Sequence, residues 1–258
     1  MAEIICVINQ KGGVGKTTTA HNMAVVLAEK GNNVLLIDLD SQHDLTNIFM
    51  SKLPKEAKGS YELFYGWEKA LAHKVAENLY LVPASNKLVK LDSELANEKN
   101  KLFRLKDALR NAKENVDGYI IFDCPPALGL ISLNALTAAD KVIIPTIADQ
   151  FGLNSVAELL KTIESVKKNT NPDLVIGGVL FTRYYGRYSV AFKFANEIRA
   201  WSKEHGVPVY NTAISMAVCV SESQGYNKSV TEYDPYSKPA RDYRHLVMEV
   251  QNATEESK

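Results

Sequence analysis

Lys11-Gly12-Gly13-Val14-Gly15-Lys16-Thr17-Thr18 is the stretch on which the fold turns. An apolar, β-rich run, Ile4 to Ile8, precedes it. After it, Ala20, Met23, Ala24, Leu27 and Ala28 recur at helical spacing. Strand, glycine turn and helix form the setting in which a phosphate-binding loop works. Glycines let backbone N–H groups converge on an anion with no Cβ in the way. The helix start adds unpaired N–H donors and the positive end of its dipole. Gly12, Gly13, Val14, Gly15 and Thr18 would form the cradle. Lys16 would reach the outer phosphates, and the Thr17 hydroxyl would ligate Mg²⁺. The run departs from the standard Walker A motif: Gln10 stands where its first glycine belongs, and a second lysine, Lys11, precedes Gly12-Gly13.

Outward from this turn, short apolar runs alternate with amphipathic helical patterns. The runs are Ile4–Ile8, Val34–Ile37, Leu79–Val82, Tyr119–Phe122, Val142–Ile144, Leu174–Leu180 and Val207–Tyr210. Helices are expected over Leu102–Ala112, Val156–Val166, Ser189–Lys203 and Arg241–Val250. Such alternation implies an α/β fold: a mostly parallel, doubly wound sheet of about seven or eight strands with helices on both faces. Residues 1–258 read as a single P-loop domain, with a helical insertion at about 51–76 and a polar tail at about 253–258. Ligands of such sheets bind at the carboxyl ends of the strands, where the glycine turn, Asp38–Asp40 and Asp123 all fall.

Composition narrows the class. The 258 residues carry 30 basic and 30 acidic side chains, so no global field recruits nucleic acid, and any such contact needs a local patch. Cys6, Cys124 and Cys219 are scattered, with no ligand spacing, and read as reduced thiols of a cytoplasmic protein. No apolar stretch is long enough to span a bilayer, and no signal peptide opens the chain.

A triphosphate site needs carboxylates for the metal and for water. Tyr119-Ile120-Ile121-Phe122 ends in Asp123, a Walker B pattern that carries the carboxylate toward Mg²⁺. Leu36-Ile37 ends in Asp38-Leu39-Asp40, whose two carboxylates point the same way while the chain stays extended. Asp40, further out, is expected to orient the attacking water, and Asp38 to support the metal or the lysines. A cap for the helix that follows is the competing role for Asp40.

Taken together, Lys11–Thr18, Asp38-Leu39-Asp40-Ser41-Gln42, Asp123-Cys124-Pro125-Pro126 and Asn134-Ala135-Leu136 resemble the ParA/Soj chromosome and plasmid partition ATPases. These belong to the deviant Walker A group that also holds MinD. The likeness runs to Tyr233-Asp234-Pro235-Tyr236-Ser237-Lys238. It implies binding of ATP/ADP with Mg²⁺, slow hydrolysis, and a homodimer formed on ATP binding. In that dimer Lys11 would reach the partner's phosphates, so the catalytic set is Lys11, Lys16 and Asp40. It also implies non-specific DNA binding by the ATP dimer, stimulation by a ParB-type partner, and a nucleoid-associated cytoplasmic location.

Two departures stand out. The family's Pro-Gln-Gly-Asn after Asp-x-Asp is Ser41-Gln42-His43-Asp44 here. The family's arginines after Ile214 are Met216 and Cys219, which removes basic DNA contacts there. Ser215 and Met216 would still border the adenine, with Thr182 and Arg183 at the base edge. Lys228, Lys238, Arg241 and Arg244 remain as candidate DNA contacts in a stretch with a basic excess, and the tyrosines at 184, 185 and 188 could stack on bases or on a partner. The alternatives are a positioning ATPase for a protein cargo and a MinD-like surface switch. The acidic, polar ending Thr254-Glu255-Glu256-Ser257-Lys258 argues against the latter and against a membrane partner. An electron-transfer ATPase would need Cys124 at the seam between subunits.

Overall fold

Alternation within each apolar run sends side chains to opposite faces of a seven-stranded sheet. In β1 (Glu3–Val7), Ile4 and Cys6 enter one core while Ile5 and Val7 enter the other. The same split recurs in β2 (Asn33–Asp38), β5 (Gly118–Asp123) and β6 (Lys141–Thr146), which explains their unbroken hydrophobicity. The computed structural model describes residues 1–54, 57–66, 72–115, 117–186 and 189–255. Arg187 and Tyr188, from the basic and aromatic stretches, and residues 256–258 of the tail lie outside them.

The strand order is β3-β4-β2-β5-β1-β6-β7, with β3 as His73–Ala76, β4 as Leu79–Val82 and β7 as Val175–Phe181. All neighbours pair in parallel except β3 with β4. One face is covered by α1 (Lys16–Glu29) and α11 (Lys238–Glu255), and the other by α5 (Arg104–Asn115), α6 (Leu130–Ala138), α7 (Gly152–Asn169) and α8 (Ser189–Glu204). Short helices complete the chain: α2 (Asp44–Ile48), α3 (Ser60–Leu63), α4 (Leu91–Glu94), α9 (Val218–Gly225) and α10 (Val230–Tyr233). Buried from Thr19 to Ala28 between the sheet and α11, α1 is apolar nearly all round rather than on one stripe.

Two expectations change. Val207–Tyr210 is not a strand; only Val209 bridges to Val179, because Pro208 has no N–H to continue a ladder. Within its described residues the expected helical insertion holds a 3₁₀ turn, Met50–Lys52, and α3, and it ends in strand β3; residues 55–56 and 67–71 of it lie outside them. That strand escapes a sequence reading because only Val75 of His73-Lys74-Val75-Ala76 is buried. Among the described residues, no helix is long and apolar enough to cross a membrane.

Candidate active site

The glycine turn joins β1 to α1 at the carboxyl edge of the sheet. Gly13 and Gly15 take φ of 71° and 81°, a left-handed geometry that side chains resist. Nothing lies within 4 Å of where a Cβ would sit on Gly12 or Gly13, so the outer wall of the turn is open. Its inner wall is braced. Buried Asn9 accepts from the Lys11 N–H at 3.0 Å and donates to the Pro145 carbonyl at 2.8 Å. The Thr182 hydroxyl donates to the Val14 carbonyl at 2.7 Å. Thr182, expected at the base edge, lines the same cleft but has its hydroxyl committed to bracing the loop. Over the turn lies a cleft of about 1060 Å³ that also exposes Lys16, Thr17, Thr18 and Asp40.

The charges beneath the loop are poised for an anion. Lys16 is buried, and its ammonium touches the Lys11 carbonyl at 3.4 Å. Desolvation lowers its pKa, against the pull of the Asp123 and Asp40 carboxylates. Asp123 is buried at the end of β5, and neither carboxylate oxygen has a hydrogen-bond partner. Burial, then the neighbouring Asp38, raise its pKa well above the usual carboxylate range, while the nearby Thr17 hydroxyl and Lys16 ammonium act the other way. An open cradle, a desolvated ammonium, a free-standing buried carboxylate and the Thr17 hydroxyl fit a magnesium-bound polyphosphate.

Asp38 behaves differently from the expected metal ligand. Its Oδ1 accepts from the Asp40 N–H at 3.0 Å, and its Oδ2 accepts from the Thr46 N–H and hydroxyl at 2.9 and 2.7 Å. Both oxygens therefore organise the loop after β2. Burial raises its pKa to about 6, opposed by these same bonds. Asp40 lines the cleft and accepts from the Gln42 N–H at 3.0 Å. It does not cap the next helix; His43 holds that position without a side-chain cap.

Lys11 reaches across the mouth of the cleft to Asp149, 2.5 Å away, with its ammonium 5.5 Å from the centre of the Phe151 ring. Asp149 lies in the loop after β6. Gln224 of α9 donates to the Thr18 hydroxyl at 2.8 Å. Asn9, Asp149 and Gln224 lie outside the motifs. Of the three, only Asn9, a polar residue between a buried strand and the turn, carries a signal in the sequence.

A family profile described as an AAA domain matches residues 2–176. The sporulation initiation inhibitor protein Soj of Bacillus subtilis is 37% identical over 253 residues, covering 97% of this chain and 98% of its own length. The chromosome-partitioning ATPase Soj of Thermus thermophilus is 38% identical over 257 residues, covering 98% and 97%. The chain belongs to the ParA/Soj family of partition ATPases. Among solved structures, a cobyrinic acid a,c-diamide synthase of Mycobacterium smegmatis with bound ADP and magnesium matches at a TM-score of 0.84. It is 30% identical, and the match covers 100% of this chain and 97% of that one.

The residues expected at the base edge lie together on one side of the cleft. The backbone from Ile214 to Met216 continues off β7 through bonds from the Ile214 N–H to the Phe181 carbonyl and from the Met216 N–H to the Tyr184 carbonyl. Ser215, Met216 and Arg183 all line the cleft, Met216 with 56% of its surface exposed. Tyr184 stacks on Phe181, whereas Tyr185 faces the cleft. The candidate DNA contacts are less free than their spacing suggests. Lys238 is held by Asp242 at 3.2 Å and by the Ser215 hydroxyl, and Arg244 donates to the Pro235 carbonyl at 2.7 Å. Arg241 and Lys228 are exposed. Cys124 is buried with its sulfur 3.4 Å from that of Cys6, which removes it from any seam between subunits.

Proposed function

We propose that this chain is a nucleotide-operated switch for DNA partition: it binds ATP, dimerises, holds DNA without sequence preference and lets go on hydrolysis. The reading rests on one observation, the partnerless carboxylate of Asp123 buried beneath an open glycine turn beside Lys16. The turn's N–H groups and Lys16 bind the phosphates. Magnesium, when bound, offsets phosphate charge, with Thr17 as its ligand and Asp123 as its support. Asp40 orients the attacking water. Lys11 leaves Asp149 to neutralise charge on the partner subunit's nucleotide. A ParB-type partner accelerates turnover, and residual basic residues on α11 and at Lys228 contact DNA phosphates.

The test combines three measurements. Calorimetry should give heat with ATP-Mg²⁺, and none with Lys16→Ala. Light scattering should give an ATP-dependent dimer that Lys11→Ala cannot form, although it still binds ATP. A gel shift on arbitrary DNA should require ATP and weaken steeply with salt. A second reading, a positioning ATPase for a protein cargo, draws support from Met216 and Cys219 in place of arginines and from the internal partners of Lys238 and Arg244. An ATP dimer with no DNA retention at low salt would favour it.

A further inference from the structure

His43 adopts a left-handed backbone, φ 46° and ψ 35°, at the corner between β2 and α2. Such a conformation costs a side-chain-bearing residue roughly 1 kcal/mol and persists where surrounding bonds hold it. Those bonds are present. The His43 N–H donates to the Asp40 carbonyl at 2.8 Å, and its own carbonyl accepts the Asn47 N–H at 2.9 Å. The ring Nε2 meets the Asn86 side-chain oxygen at 2.8 Å. That oxygen only accepts, so Nε2 carries the proton. The other ring nitrogen, Nδ1, is buried with no hydrogen-bond partner. The ring therefore ties the corner to Asn86 through Nε2.

Asn86 is no isolated anchor. It opens the 3₁₀ turn Asn86–Lys90, which runs directly into α4. Two residues before it, the Ala84 N–H donates to the Thr46 hydroxyl at 2.8 Å, the same hydroxyl that donates to Asp38. At the far end, Asp92 accepts the Leu130 N–H at 3.0 Å, where α6 starts after Asp123. Residues 84–92 therefore join the corner carrying Asp40 to the segment that follows the buried Asp123, and His43 is the side chain that ties the corner on.

We infer that His43 is a positioning residue for hydrolysis: its bond to Asn86 holds the corner so that the Asp40 carboxylate stays presented to the cleft. This rests on the reading of Asp40 as the group that orients water. Misplacing such a group acts on the chemical step more than on binding.

The test is single-turnover and steady-state ATP hydrolysis by the full chain with magnesium, alongside thermal melting. Asn86→Ala should lower kcat about fivefold and change KM for ATP less than about twofold. Asn86→Asp, which keeps the acceptor oxygen, should restore the rate. His43→Gly should lower kcat to the same degree while Tm holds or rises, since glycine relieves the left-handed strain. That split separates positioning from a loss of fold. The double variant should be no slower than either single one. Wild-type kcat in Asn86→Ala and His43→Gly, with Asp40→Ala inactive, would overturn the role of His43 alone. Wild-type hydrolysis by Asp40→Ala would overturn the assignment of Asp40 and this inference with it.

Discussion

The ends of β2 and β5 lie side by side, Asp38 in register with Asp123, yet the two carboxylates live differently. Asp38 accepts three hydrogen bonds from its own loop, whereas Asp123 receives none from the chain around it and has only the Thr17 hydroxyl of the phosphate turn nearby. Both are buried at adjacent positions of one sheet edge, so depth does not distinguish them. What does is the chain that follows. After Asp38 it turns back through Asp40 and Thr46 and supplies donors, whereas after Asp123 the prolines at 125 and 126 carry it away. A buried carboxylate with its donors supplied is part of the scaffold, and one without them is held ready for something that arrives.

The largest effect should come from removing the ready group. Asp123→Asn is expected to lower magnesium-dependent hydrolysis by about 10²- to 10³-fold, and to raise the unfolding free energy of the nucleotide-free protein by about 1 kcal/mol near neutral pH, because the folded chain no longer has to hold a proton that the unfolded chain releases. Hydrolysis assays and urea titration read the two halves. A variant that is slower and also less stable would make Asp123 scaffold like its neighbour.

Next comes the scaffold itself. Asp38→Ala leaves the N–H groups of Asp40 and Thr46 buried without an acceptor, so urea unfolding should show a loss of about 2–4 kcal/mol. If ATP binding vanished while stability held, Asp38 would belong with the ligand side.

The pH profile sharpens the pair further. Below the ordinary Asp value of 3.8 both carboxyls are protonated in the folded and unfolded chain, and their contribution is complete. As pH rises toward about 6 the folded protein keeps the Asp38 proton that the unfolded chain has already released, so stability falls through that window, and Asp123 extends the fall upward. The slope is at most about 1.4 kcal/mol per pH unit for each proton. Asp123→Asn should shorten the window at its upper end, and a stability flat from pH 4 to 7 in the wild-type chain would contradict both shifts. The smallest effect belongs to Thr46→Val, which removes one of Asp38's three donors and the acceptor for Ala84, and should cost about 1 kcal/mol by chemical denaturation.

The central strands were legible because burial on two faces writes itself as unbroken apolar runs, and the phosphate loop because its glycines and lysines are adjacent in the chain. Asp123 was legible for the same reason, at the end of such a run. What stayed hidden was assembled from distant segments. Asp149 meets Lys11 across 138 positions, Gln224 meets Thr18 across 206, and Thr182 meets Val14 across 168. Asp38 and Asp40 share one short motif, and nothing in it tells which carboxylate its own loop will occupy. Strand β3 was missed because an edge strand buries one face weakly, and Val207–Tyr210 was over-read because its apolar character comes from packing against β7 rather than from a ladder.

The margins of the sheet have a consequence for assembly. On one flank β3 runs against the grain with an irregular register, and on the other the Pro208 segment lies along β7. Neither border offers a long, straight template onto which a foreign strand could zip. Copies of this chain that meet at high concentration are thereby shielded from fibrous growth through their sheets.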